Sequence, residues 1–492
     1  MISLYGAGGL FYNRFVVKSK NRFNPSTSCL TCLLFFLLLG VLATKGTASV
    51  LDIGTDYRFR GISLGSPNYG APEDHNYDYY SQRALAHIGG RFSPNIEFMT
   101  QFQALGVVGS SASVTDPVGN QAGSRYPNTN FTPWVQWAYF KATDLHDLPV
   151  DITVGRQPII WGDGLILSDD DLGFTGVRVQ SRLPWYDLQG DIFTFKTNEN
   201  LVSSSDSNIY GLQLTKPMNN IRIQISYLNQ HDGSGTTIYQ RPFEIAGSNG
   251  IPVNANFAAS NIERSFYDAR VEGRLLQGGF YKGEFALQSG HVDRDPSIPG
   301  GSVTLGGYAG LISAGLYTRF SKYGPIELHG LFGIASGDSG NGGNESSGGN
   351  AGTDNAFYPS FGHQFDGLER SGFGELFGAS LYNAVASSAN PNGLPPGDSG
   401  IRVIGGGVTT HPTALLSIGI DYFVYDAMEQ HNAQVGSSAT GSSLGSELDI
   451  GAGFAYTNYL TFRASAAFFS PGSAFVYASQ AHRYLLEARG RF

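Results

Sequence analysis

The feature that most constrains this chain is a recurring stretch of about ten residues in which apolar and polar side chains alternate. Segments 221–227, 267–274 and 447–456 show the alternation most clearly. Because successive side chains of a β-strand point to opposite faces, each segment has one apolar and one polar face. The pattern predicts an all-β chain. Alternation alone does not distinguish a membrane barrel from a soluble β-sandwich, whose strands alternate in the same way.

The lengths of the connections separate a membrane barrel from a soluble sandwich. About eighteen strands can be placed after residue 50, which is an even number. Short turns, such as Ser93-Pro94 and Leu183-Pro184, alternate with long polar loops. The long loops are 63–80, 107–131, 231–261, 291–304, 338–399 and 427–444. We therefore predict a transmembrane antiparallel β-barrel with short periplasmic turns and long extracellular loops.

Composition excludes several other classes of protein. Charged residues make up 14% of the 492 residues, against about 25% in an ordinary soluble domain. The 66 glycines and 13% aromatic residues favour strands and turns, which argues against a large helical or Rossmann-type enzyme. The formal net charge of −9 argues against a nucleic-acid partner.

The amino terminus has the order of a secretory signal. A basic region precedes an apolar run at 30–43, and the small residues Gly46-Thr47-Ala48 follow. We predict a signal peptide at 1–48, cleaved after Ala48, and a barrel domain at 49–492. A single membrane anchor is the alternative, but the run is shorter than the ~20 residues of a spanning helix.

Removal of the signal peptide changes the charge and the cysteine content. Five of the 31 basic residues and none of the 40 acidic residues lie in 1–48, so 26 and 40 remain, a net charge of −14. Cys29 and Cys32 are removed as well, which excludes disulfides and thiol catalysis in the mature chain.

The final segment adds a second membrane signature. Its last residue, Phe492, resembles the carboxy-terminal signal read by the machinery that assembles outer-membrane barrels. We therefore expect outer-membrane localisation, contact with that machinery and with lipid, and a monomer. A barrel of about eighteen strands is too wide for side chains to fill, so we expect a water-filled lumen and passage of a solute.

Three stretches between residues 154 and 472 carry further motifs. The first runs from Val154-Gly155-Arg156-Gln157 through Trp161-Gly162-Asp163 and Asp170-Asp171 to Gly176-Val177-Arg178. The second runs from Phe357 to His363 and on to Glu375-Leu376-Phe377-Gly378. The third joins Glu447-Leu448-Asp449 to Phe468-Phe469-Ser470-Pro471-Gly472. In this order they resemble the alginate export family of outer-membrane β-barrel porins.

The resemblance implies an eighteen-stranded barrel whose lumenal arginines favour an anionic, alginate-like polysaccharide. With the polar faces turned inward, the candidate pore-lining cations are Arg156, Arg178, Arg182, Arg222, Arg270, Arg274, Lys282, Arg463 and Arg489. Acidic residues share these faces, so the lining is mixed and pairing would leave little net field. We expect Arg178→Glu to lower anion preference in reversal-potential measurements.

Arg156 conflicts with simple alternation. It shares the apolar face of Val150, Ile152 and Val154, and a charge that faces lipid at mid-depth would cost about 2–4 kcal/mol. We expect a β-bulge at Gly155 to turn Arg156 inward; otherwise it would lie near the rim.

Loop residues supply the remaining site candidates. Asp163 beside Trp161 could contact a sugar, and an interfacial aromatic position is the equal alternative for Trp161. Asp169-Asp170-Asp171 could bind calcium, but a solvated acidic loop is favoured. His363 is expected to support the pore structure. No cofactor motif is present, and no metal site is expected.

Two hypotheses stay open beside polysaccharide export. One is a general or carbohydrate-selective porin for small solutes. The other is an adhesive or structural barrel with a plugged lumen, in which loop 338–399 binds a partner or folds into the channel. An outer-membrane hydrolase is disfavoured, because His329 beside Glu327 lacks a placed nucleophile. The sequence thus predicts a passive, cofactor-free channel and no enzyme.

Overall fold

Long β-strands make up nearly all of the computed structural model. The structure describes residues 50–66, 76–108, 131–145, 148–183, 186–198, 206–233, 238–239, 257–275, 278–294, 302–320, 324–337, 353–357, 359–362, 364–366, 369–371, 373–377, 400–429, 441–475 and 478–492. The predicted signal peptide lies outside these residues. The long strands of the described chain are β1 (Val50–Gly65), β2 (Tyr77–Ser93), β3 (Ile96–Val108), β4 (Trp134–Ala142), β5 (Val150–Ile160), β6 (Leu167–Leu183), β7 (Leu188–Asn198), β8 (Ser207–Met218), β9 (Ile221–Asp232), β10 (Phe257–Arg274), β11 (Gly279–Arg294), β12 (Tyr308–Phe320), β13 (Gly324–Ala335), β14 (Ile401–Thr410), β15 (Leu416–Asp426), β16 (Ser443–Ala455), β17 (Leu460–Pro471) and β18 (Ala481–Arg491).

These eighteen strands form one closed antiparallel barrel. Each strand pairs with its neighbours in sequence, and β1 pairs with β18 from Asp56↔Arg491 to Gly65↔His482 to close the ring. The predicted architecture and strand number are therefore confirmed. Phe492 completes the closure, since its backbone N–H and C=O both bond to Thr55, at 2.9 and 2.8 Å.

Among the described residues, no helix has the length and apolar character needed to cross a bilayer.

The two faces of the wall differ as the alternation predicts. Ile225, Ile312 and Leu486 project outward and are 61%, 60% and 68% exposed, whereas their neighbours on the same strands face the lumen. In hydrocarbon every backbone N–H and C=O must pair within the protein, and ring closure achieves this without leaving an edge strand. The outer face is therefore suited to lipid and the inner face to water.

Substitutions at adjacent positions of β12 test this assignment of faces. We expect Ile312→Arg, midway along the strand, to lower the free energy of unfolding by about 2–4 kcal/mol, because it places a charge in the lipid. Ser313→Arg points into the lumen and should cost much less. Denaturant unfolding of the protein folded into lipid vesicles measures both; equal costs would contradict the assignment.

The β-bulge expected at Gly155 is wrong. β5 pairs with β6 in unbroken register over residues 150–157, and the irregularity comes later, between Gln157 and Ile159. Arg156 therefore keeps the outward parity of Val154 instead of turning into the lumen.

Arg156 is accommodated by the backbone of the neighbouring strand. The β4–β5 ladder ends at the pair Ala138↔Arg156, so the wall loses hydrogen bonds beyond this point. There the Arg156 Nε donates to the carbonyl oxygen of Leu172, at 2.8 Å. The guanidinium thus bonds a carbonyl in the stretch of β6 that the β5–β6 register skips, and a role in lining the pore is not supported by its position.

Candidate functional site: a lumen narrowed by two inward turns

The turn between β5 and β6, residues 161–166, folds into the lumen and lies against β11. There Glu284 accepts hydrogen bonds from the backbone N–H groups of Asp163, at 2.5 Å, and Leu165, at 3.3 Å. Glu284 faces inward because its neighbour Phe285 faces lipid and is 48% exposed. The first turn is therefore attached to the inner wall through its backbone.

The side chain of Asp163 adds a second attachment. Its Oδ1 accepts from Arg270 Nη2 at 3.1 Å and from Lys282 Nζ at 3.0 Å. Arg270 also donates to Glu272, at 2.7 Å. The structure thus brings together three residues that the sequence singled out separately, Asp163, Arg270 and Lys282, in a compensated ionic cluster.

Trp161 fixes the same turn from the side of β7. Its side chain is buried, and its ring centroid lies 4.8 Å from that of Phe193. The indole Nε1 donates to Asp191 Oδ2 at 3.3 Å, and Asp191 also accepts from Arg178. Because the indole is buried, both expectations for Trp161, a sugar contact and an interfacial aromatic position, are wrong.

A second turn, residues 373–377, comes from the long loop between β13 and β14 and lies against β15 and β16. Glu447 of β16 is fully buried and accepts three successive backbone N–H groups of this turn, at 2.6 to 2.7 Å. The Tyr425 hydroxyl donates to the carbonyl oxygen of Phe373 at 2.5 Å. The buried Asp449 of β16 also accepts the Glu375 N–H, at 2.9 Å, so buried carboxylates attach the second turn to the wall as Glu284 attaches the first.

The carboxylate of the second turn, Glu375, contacts basic side chains. It pairs with Arg463 and accepts from Arg483 Nη1 at 3.2 Å and from Ser465 Oγ at 3.0 Å. Glu375 therefore offsets part of the positive charge of β17 and β18. Arg483 was not among the pore-lining residues expected from the sequence.

The other described parts of loop 338–399 also contact the inner wall. Phe357 is fully buried and packs edge-on against Phe266 of β10, with ring centroids 6.2 Å apart. Ser360 Oγ donates to Gln230 of β9 at 2.8 Å. These described segments therefore fold into the lumen instead of extending from the rim.

Several predicted lumenal cations keep inward parity and form ion pairs. The pairs are Arg178–Asp191 (2.5 Å), Arg182–Asp144 (3.0 Å), Arg222–Glu272 (2.9 Å) and Arg489–Asp56 (2.6 Å). The backbone N–H of Arg274 bonds at the turn to Asn220. Their role in selecting a solute stays a prediction.

A row of arginines lies where the barrel closes, and of its members only Arg489 was predicted from the sequence to line the pore. Arg489 of β18, Arg58 of β1 and Arg83 of β2 are direct cross-strand neighbours, and we call them the arginine row. Arg60 lies beside the row and pairs with Glu487 at 2.5 Å. The alternation of β1 could have placed Arg58 and Arg60 on the inner face, because the aromatic residues Tyr57 and Phe59 alternate with them.

A cavity of about 530 Å³ adjoins the second turn and extends toward the rim of short turns. Its charged lining residues include Glu375, Asp421, Asp449, Arg463, Arg489 and Arg491. Gly419, Gly451 and Gly453 also line it, and their missing side chains leave this part of the lumen open. Cations and carboxylates thus face one water-accessible space.

The acidic loop candidates do not form a described metal site. Asp169 Oδ1 accepts two backbone N–H groups of its own strand, at 2.8 and 3.2 Å. The side chains of Asp170 and Asp171 and the whole of His363 lie outside the described residues. Within the described ranges, no group of His, Cys, Asp and Glu side chains could hold a metal ion.

His329, the histidine considered for a hydrolase, takes part in a link across the wall. Its Nε2 lies 2.7 Å from Asp421 Oδ1, although β14 separates the two strands. Gly407 stands between them in register, so no side chain blocks the contact.

The fold defines a class, the porin-type outer-membrane β-barrel, and a closed barrel of this kind is consistent with the outer-membrane location expected from the sequence. No family model and no curated protein matches it. Similar solved structures are Pseudomonas aeruginosa OccK8 (OprE), at 12% identity and TM-score 0.50, P. aeruginosa OccK9 (OpdG), at 11% and 0.51, and Acinetobacter baumannii OccAB4, at 9% and 0.51. Each comparison covers 90% of this chain and 98% of the other.

At these identities the likeness shows the fold. Neither a family model nor a curated protein supports the resemblance to the alginate export family.

Proposed function

We propose that the protein is an outer-membrane channel through which small hydrophilic solutes diffuse passively, with a preference for anions and without a cofactor. The arginine row is the observation that carries this proposal. Like charges on directly opposed cross-strand positions destabilise a sheet. In a channel, arginines arranged in this way attract mobile anions, which would explain why the wall keeps them.

The cavity supports the same proposal because three arginines reach its water, and in the described part of the chain they share two carboxylates. Glu375 pairs with Arg463, and Asp56 pairs with both Arg489 and Arg491. The side chains of Arg463, Arg489 and Arg491 are 45%, 25% and 63% exposed. Arg58 is buried in the wall beside Arg489, whereas Glu487 offsets the charge of Arg60. In the ring of eighteen strands, β1 stands opposite β10, where the acidic residues around Arg270 lie. A passing ion therefore experiences a field across the lumen.

A linear polyuronate, which the sequence motifs suggested, is the weaker proposal for the solute. Both inward turns and the buried aromatic side chains around Trp161 and Phe357 occupy lumenal space that a polymer would need. A plugged adhesive barrel is the other alternative, and it would conduct no ions.

Solute-size dependence tests the proposal. In liposome-swelling measurements with the purified protein, we expect a small sugar acid to enter faster than a neutral sugar of equal size. A long oligouronate should enter at the rate of protein-free liposomes. Fast entry of the oligouronate would favour polymer transport, and no entry of any solute would favour the plugged barrel.

A further inference from the structure

We propose that Glu284 and Glu447 are positioning residues that set the width of the lumen by holding the two inward turns through their backbone N–H groups. The proposal rests on the proposed function, because lumen width matters only in a channel that conducts. The proposal assigns two different roles: Glu284 and Glu447 hold the turns in place, and other residues present charge to the solute.

The same arrangement occurs at two places in the barrel. On β11, Glu284 accepts two backbone N–H groups of turn 161–166; on β16, Glu447 accepts three of turn 373–377. In each turn one carboxylate, Asp163 or Glu375, contacts cationic side chains of the wall. Wall carboxylates thus accept backbone N–H groups of each turn, with Asp449 sharing the Glu375 N–H with Glu447, and a carboxylate of each turn pairs with cations of the wall.

Burial shows why Glu284 and Glu447 matter more to the position of the turns than Asp163 and Glu375 do. The side chain of Glu284 is 0% exposed, and Glu447 is likewise fully buried. A buried carboxylate is costly unless donors surround it, and here backbone N–H groups of the turns are the main donors, joined at Glu447 by the Tyr425 hydroxyl at 3.3 Å. Releasing a turn would leave the carboxylate without these donors, so each attachment resists opening.

The side chains of Asp163 and Glu375 have a different consequence. They are 17% and 19% exposed, and they offset the charges of Arg270, Lys282, Arg463 and Arg483. Because the turns are held through backbone groups, removing either side chain should change ion preference while the turn stays in place. Removing a wall carboxylate should free the turn itself.

Thiol labelling tests the proposal in a protein with Cys29→Ser and Cys32→Ser, because the chain has no other cysteine. Leu165→Cys and Leu376→Cys each place one thiol in a turn at a position that is 4% exposed. We expect Glu284→Gln to accelerate methanethiosulfonate labelling at 165 at least about tenfold and to leave position 376 unchanged. Glu447→Gln should do the reverse. A glutamine amide turns an N–H₂ group toward the donors, so it cannot replace both carboxylate oxygens.

Glu487→Gln is the matched control. It removes one negative charge from the lumen, but its salt bridge joins it to Arg60 on the adjacent strand and not to a turn. It should accelerate labelling at neither cysteine. The proposal fails if neither wall variant accelerates labelling, or if all three variants accelerate it at both positions. Heat-modifiable migration on gels checks that each variant is folded.

Bilayer recordings supply the second readout. Glu447→Gln should raise the unitary conductance by roughly half or more, whereas Glu375→Gln should shift the reversal potential at unchanged conductance. Equal conductance changes in both variants would overturn the proposed division of roles. Selective labelling without conductance in any variant would count against the channel function, and not against the positioning of the turns.

Discussion

Reversing two arginines at the closure of the barrel should weaken the anion preference of the channel about fivefold. Arg489→Glu with Arg491→Glu changes the lumenal charge by four units at the cavity. Four charges about 8 Å from an ion in water amount to about 2 kcal/mol, or about 1 kcal/mol after screening at 0.1 M salt. The reversal potential under a salt gradient measures the change.

The matched control for this double substitution is Arg402, whose charge lies outside the lumen. Arg402 shares the outward face of Ile404 and pairs with Asp426 at 2.7 Å. Arg402→Glu should leave the reversal potential near that of the unmodified protein. An equal shift in both variants would mean that surface charge, and not the lumenal arginines, determines ion preference.

Truncation of Trp161 should widen the channel. A buried tryptophan truncated to alanine typically costs about 3–5 kcal/mol, and here the loss falls on turn 161–166 and its packing against Phe193. The indole also donates to Asp191, so the Arg178–Asp191 pair would gain access to water. We expect the unitary conductance of Trp161→Ala to rise roughly twofold.

Tyr186→Ala is the control for aromatic truncation. Tyr186 is 70% exposed at the rim of short turns, so its loss should leave the conductance unchanged. Unchanged conductance in Trp161→Ala as well would contradict a turn that narrows the path.

The wall of the barrel could be predicted from the sequence because alternation is a local property. Ile225 and Tyr267 were assigned to one face and Arg270 to the other from parity alone, and their exposures agree. Arg156 was misplaced for a related reason. Its outward parity was read correctly, but the carbonyl that accepts its Nε belongs to a neighbouring strand.

The attachment of the turns could not be predicted in this way. Glu284 and Glu447 have the parity of ordinary lumenal acids, and their partners are backbone N–H groups 121 and 72 residues away for Asp163 and Glu375. Backbone donors have no sequence signature, because every residue except proline has one. Trp161 looked exposed for the same reason, since its burial depends on where its turn folds.

The most direct test of a conducting, narrowed lumen is the current through single molecules of the purified protein in planar bilayers. We expect discrete, uniform current steps with a reversal potential on the anion side. Folded, heat-modifiable protein that inserts into the bilayer but produces no steps would contradict a channel.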